Sequence, residues 1–161
     1  MIYEFLESNG IAYERVDHPA VFTCEEARRL VPQLPGADTK NLFLRDGKGR
    51  LHFLVSVPPQ KNVDLKALAV ALGVNGLGFA SPERLKKYLG LEPGSVTLLG
   101  VVNDASQSVE VVIDEELWAG EALLCHPLIN TSTLILKKAA LLSFFELTKH
   151  PPRVLRIPGK L

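Results

Sequence analysis

The chain has 161 residues, 47% of them hydrophobic and 22% charged, the balance of one folded domain rather than a disordered segment. At this length folding buries roughly 70% of the unfolded surface, so the core needs no metal or disulfide staple. Eighteen Lys and Arg against eighteen Asp and Glu give zero net charge, which excludes a polybasic DNA or membrane-surface binder and leaves a polyanion only a local site.

Ile2, Phe5 and Leu6 recur at helical spacing, and Asn9-Gly10 stops the short helix that they predict. A strand is expected through Ile11, Tyr13 and Val16. Thr23 and Glu26 form a capping box for a helix through Ala27 and Leu30, ended by Pro32 and Pro35-Gly36. The strongest hairpin signal follows. Asn41–Leu44 and Leu51–Val57 are apolar runs joined by the charged, glycine-containing turn 45–50, and runs this apolar predict strands covered on both faces.

Asp64 caps a predicted helix carrying Leu65, Leu68, Ala69 and Leu72, closed by Gly73. Ser81-Pro82-Glu83 opens another, with Leu85, Tyr88 and Leu89 as its buried stripe and Gly90 as its stop. Strands are expected over Val96–Val102, Val109–Ile113, Ala122–Leu124 and Thr133–Leu136. A last helix spans Ala139–Leu147, before a short strand around Val154–Ile157. Helices and strands interspersed with hairpin-like pairs predict a single α+β domain with a mixed sheet.

The N-terminus lacks a basic region and a long apolar run, and no segment reaches the ~18 apolar residues of a membrane span, so a cytoplasmic protein is expected. Two cysteines, Cys24 and Cys125, are expected as reduced thiols in or near the core. Their spacing to His18 and His126 matches no zinc pattern. A nucleophile elbow, a Walker loop and a dinucleotide fingerprint are all lacking, and the four histidines are scattered.

From Lys40 onward a series of segments narrows the reading: Lys40–Asp46, Val63–Leu68, Phe79–Leu85, Leu91–Thr97, Val102-Asn103-Asp104, Val112-Ile113-Asp114 and His126–Thr131. In this order they resemble the YbaK/ProX family of prolyl-tRNA editing domains, most closely the alanyl-tRNA(Pro) deacylases of the ProXp-ala (PrdX) type. The resemblance implies one aminoacyl-tRNA editing domain over residues 1–161, with a mixed, largely antiparallel, barrel-like sheet flanked by helices. It implies hydrolysis of the ester that joins a wrong amino acid to proline tRNA, without metal or other cofactor. The partners it implies are the tRNA and, for handover, prolyl-tRNA synthetase or an elongation factor; neither DNA nor membrane is expected.

By this resemblance Lys40 and Gly94 are the catalytic positions. Lys40 would hold the terminal adenosine's phosphate or polarise the ester carbonyl, and the loop Gly94–Leu98 would offer backbone N–H groups to the oxyanion. That loop has Leu98 where the family has proline. Asn41, Ser95, His126, Asn130 and Thr131 would bind substrate. The basic residues Arg45, Lys48, Arg50, Lys61 and Lys66 are candidates for RNA phosphates. The ester is already activated, so no strong nucleophile is needed: a water, oriented by the substrate's ribose hydroxyl, would attack. Alternatives are a cysteinyl-tRNA(Pro) or other aminoacyl-tRNA deacylase, or a non-catalytic module that binds aminoacyl groups or tRNA ends.

Overall fold

The computed structural model describes residues 2–20, 29 and 34–160. The helix expected from Thr23 and the residue Cys24 lie outside them. The first helix, α1 (Ile2–Ser8), buries Ile2 and Leu6, and Gly10 at φ +67° ends it while the Ile11 N–H donates back to Leu6 O. The next strand, β1 (Glu14–Asp17), leads to the first site segment.

The hairpin forms as β2 (Lys40–Asp46) and β3 (His52–Val57), in a register that sets Lys40 opposite Val57 and Arg45 opposite His52. Asp46 closes the tip, its carboxylate accepting from the N–H groups of Arg50 and Leu51. Every β3 residue is buried, as its largely apolar run predicts for a strand covered on both faces. Two further helices, α2 (Leu65–Leu72) and α3 (Pro82–Leu89), carry the predicted caps. Asp64 accepts from Ala67 N, Ser81 accepts from Arg84 N, and Gly73 and Gly90 end them in the left-handed region.

Between the helices runs a short strand that the sequence reading missed, β4 (Leu77–Phe79), which pairs with the far half of β2. The segment expected as a strand over Val96–Val102 is a 3-10 helix, Leu98–Asn103. Thr97 decides this locally, because its hydroxyl accepts from Leu99 N and so caps a helical turn. Gly100 then packs so closely that a Cβ there would lie 2.7 Å from Leu91 Cδ1. Next come β5 (Val109–Asp114), the single turn α4 (Glu115–Trp118) capped by Asp114, β6 (Ala122–Cys125), β7 (Ser132–Lys137), α5 (Lys138–Thr148) and β8 (Arg153–Leu155).

The described strands form two open sheets and do not close into a barrel. The larger has the order β4-β2-β3-β5-β8, antiparallel from β4 to β3 and parallel from β3 to β8; the smaller, β1-β7-β6, is antiparallel. The main core fills one face of the larger sheet with Phe43, Leu54, Val111, Leu99, Leu134, Phe144 and Phe145. A second core, on the opposite face under α2, holds Leu44, Phe53, Val55, Leu68 and Val112. Strand alternation therefore sends Asn41 and Phe43 to the main core side and Lys40, Leu42 and Leu44 to the α2 side. The sheets are stitched together just before β2, where Ala37 bridges Leu123 of β6. That stitch brings the end of β6, and the loop after it, against the start of β2.

Candidate active site

Four segments converge at this junction: the start of β2, the loop before the 3-10 helix, the β6–β7 loop, and the end of β1. Asn41 Nδ2 donates to Thr39 Oγ1 and to the Val96 carbonyl, each at 3.3 Å. A carbonyl only accepts, so the Asn41 amide nitrogen must face Val96 and its Oδ1 must point away. That Oδ1 is buried and accepts no hydrogen bond from the described residues. Directly across the hairpin lies Ser56, fully buried, whose Oγ is likewise unpartnered. Opposite residues of an antiparallel pair share a face with Cβ atoms about 5 Å apart, so the two side chains are neighbours.

Thr97 fastens the loop to the β6–β7 turn by donating to His126 O at 2.7 Å. His126 Nδ1 lies 3.0 Å from Ser132 O, so Nδ1 carries the proton and Nε2 keeps a lone pair. Burial pushes the His126 imidazole below its ordinary value; the Ser132 carbonyl opposes the shift and His18 adds to it. The ring is therefore neutral at pH 7. His18 stands edge-on at 6.3 Å, with Nδ1 on Pro19 O and Nε2 on the Thr133 hydroxyl. In the loop itself Leu128 has φ +70°, a conformation that L residues seldom adopt.

The expected substrate residues divide by position. Asn41 and His126 come together around Val96 and Thr97. Asn130 is buried in the same loop as His126, and Thr131 is exposed there while its carbonyl accepts from His18 N. Gly94 sits in a tight turn at φ +90°, and the Ser95 N–H closes that turn on Glu92 O. The Ser95 N–H is thereby engaged, and the N–H groups further along the loop are the ones left for an oxyanion.

Lys40 is placed differently. Its Nζ donates to Lys61 O at 2.5 Å, on the α2 side of β2 and not on the side of Asn41 and His126. Lys61 in turn reaches Asp114 Oδ2 at 2.6 Å and Ile157 O at 2.8 Å. Burial alone would lower the Lys61 pKa, but the fully buried Asp114 carboxylate raises it above the ordinary lysine value. This amine is a structural ion-pair partner, so Lys61 leaves the group expected to contact RNA phosphates. Lys66 is exposed on the first turn of α2. Lys48 and Arg50 are exposed at the hairpin tip, at the other end of β2 and roughly 20 Å from Lys40 by strand rise. Arg45 donates to Asp46 O beside that tip.

Sequence reasoning missed Thr39, Ser56, Thr97 and His18. Short polar residues inside apolar runs carry little signal of their own, and only the cross-strand register pairs Ser56 with Asn41. Cys125 is a buried free thiol, pushed up to about 12 by burial, which makes it inert at neutral pH.

Residues 18–144 match the aminoacyl-tRNA editing domain family, and this stretch contains every segment of the junction except β1, which ends one residue before it. The chain belongs to this family of aminoacyl-tRNA deacylases, hydrolases that act on mischarged tRNA. It is similar to the prolyl-tRNA editing protein ProX of Acetoanaerobium sticklandii, 40% identical over 131 residues that cover 81% of this chain and 80% of that protein. It is also similar to the prolyl-tRNA synthetase associated domain-containing protein 1 of Danio rerio, 40% identical over 154 residues covering 94% and 83%. In fold it matches a crystal structure described as a candidate trans-editing enzyme for prolyl tRNA synthetase, with TM-score 0.73 and 21% identity over 99% of this chain and 96% of that one. Among the described residues no helix is long and apolar enough to cross a membrane.

Proposed function

We propose that the whole chain, residues 1–161, acts as one trans-editing domain that hydrolyses alanyl-tRNA(Pro). The relatives' names support proline tRNA, and the likeness of the motifs to the ProXp-ala type supports alanine. The observation that carries the site assignment is the buried, unpartnered Oδ1 of Asn41. An orphaned buried acceptor costs about 1–3 kcal/mol, and such groups are kept where a ligand satisfies them. The substrate's α-ammonium or ribose hydroxyl is the donor that fits.

His126 lines the amino-acid side of the pocket as a neutral ring, which does not repel the substrate's α-ammonium as an imidazolium would. Water adds to the ester carbonyl, the backbone N–H groups past Ser95 stabilise the oxyanion, and collapse expels the ribose oxygen, which takes up a proton. Lys40, held on the α2 side by Lys61 O, fits the phosphate of the terminal adenosine better than the ester carbonyl. Asn130 and Thr131 complete the loop wall. Steric exclusion of the proline ring gives selectivity, because a single methylene in an open pocket is worth only about 1–3 kcal/mol.

The balanced charge supports weak binding of the tRNA body, with handover from prolyl-tRNA synthetase or an elongation factor in the cytoplasm. The test is loss of label from alanyl-, cysteinyl- and prolyl-tRNA(Pro) under single turnover. Preference for the alanyl ester supports the reading, and preference for the cysteinyl ester reassigns the substrate.

A further inference from the structure

We propose that Phe79 is a stacking platform for a nucleobase in the unpaired 3′ end of the tRNA, an inference that rests on the deacylase reading above. Phe79 is 63% exposed, the only aromatic among the exposed large hydrophobic residues described. It ends the edge strand β4 directly opposite Leu44 of β2. Opposite residues share a face, so Phe79 stands on the side of the sheet that carries Lys40 and its amine. Leu44 lies four positions along β2 from Lys40, a span of about 14 Å.

Among the described residues, the last backbone bond from the β4 side is Ala80 N to Phe43 O, and none pairs as a strand with that edge of β2 from Lys40 to Leu42. Lys66 is exposed at the start of α2, the helix that covers this same face. An exposed ring and two amines thus share one face of the sheet, the face on which the Lys40 amine is held for the terminal adenosine's phosphate. Single-stranded RNA is recognised by stacking its bases on exposed aromatic rings of this kind. Stacking tolerates any base, so the contact adds grip without reading sequence.

The experiment uses an RNA hairpin that ends in the unpaired acceptor sequence, with 2-aminopurine replacing each unpaired base in turn. Quenching is expected at one base before the terminal adenosine with the wild-type chain and with Phe79→Tyr, and is lost in Phe79→Ala. In deacylation, Phe79→Ala should raise KM for full tRNA by about 5- to 150-fold, the worth of one base–aromatic stack, with kcat and the melting temperature unchanged. Hydrolysis of an aminoacyl-adenosine, which lacks the stacked nucleotide, should be unaffected. Equal losses on both substrates, unchanged quenching in Phe79→Ala, or a change in sedimentation marking this edge as a protein contact would each overturn the proposal. Failure of the wild-type chain to hydrolyse either substrate counts against the deacylase reading, while the quenching experiment still decides on Phe79.

Discussion

At Ser56 and Asn41 two oxygens sit inside the protein without a donor. Replacing Ser56 with alanine removes a polar atom that gains nothing in the free protein, so the urea midpoint should rise, by about 1 kcal/mol in stability. Asn41→Ala has a different profile. It loses two long hydrogen bonds along with the orphaned acceptor, so stability should change by no more than about 1 kcal/mol. The lost contact to a charged or hydroxyl donor should lower kcat/KM by roughly 10- to 100-fold. His126 supplies a pH signature. Its folded pKa lies below the 6.5 of the unfolded ring, so the unfolded chain binds the proton first as pH falls. Its contribution is complete above about pH 6.5 and is lost as pH falls from there through the lower folded value. His52, also depressed by burial and by Arg84, contributes in the same direction. Urea midpoints measured from pH 7.5 to 5 should decline, and should decline less in His126→Asn.

At the level of elements, the ion pair between the loop after β3 and the end of β5 holds the Lys40 amine in place. Asp114 is fully buried and the Lys61 side chain is 14% exposed, and Asp114→Asn leaves that cation only the exposed Glu116 carboxylate at 3.4 Å. Breaking a buried pair costs about 3–5 kcal/mol, so thermal unfolding should shift down by several degrees. A proline at position 98 should be mild by contrast. Leu98 opens the 3-10 helix, where an N–H is not needed, and Thr97 at ψ 150° already has the conformation that precedes proline. The buried leucine's lost contacts and the gain in backbone rigidity should cancel to within about 1 kcal/mol by chemical denaturation.

This loop also shows how far the chain was readable before folding. Caps, glycine stops and the hairpin were legible at Asp64, Ser81, Gly73 and Gly90, because they depend on neighbours in sequence. The 3-10 helix was not, because Leu98–Val102 is an apolar run whose periodicity suits a buried strand equally well, and the choice is made by Thr97 and by the packing of Gly100 on Leu91. In the site, Asn41 and His126 were legible through their motifs. The side of β2 that Lys40 faces and the pairing of Asn41 with Ser56 depend on register, which no local pattern encodes.

At the scale of the molecule, two open sheets meet where β2 begins, and their junction gathers Asn41, Thr97, His126 and the orphaned oxygens on one side, with the Lys40 amine on the other. Zero net charge means that attraction to RNA must come from a few exposed cations such as Lys66, with Lys48 and Arg50 at the distant hairpin tip. The rate on full tRNA should fall with rising salt, with a shallow slope set by few phosphate contacts. The most direct test of the site is single-turnover hydrolysis of alanyl-tRNA(Pro) and prolyl-tRNA(Pro) by the wild-type chain and by Asn41→Ala. The account predicts rapid loss of alanine, a stable prolyl ester, and a variant that folds but is slowed at least tenfold; hydrolysis of both esters at one rate, or an Asn41→Ala variant as fast as wild type, would contradict it.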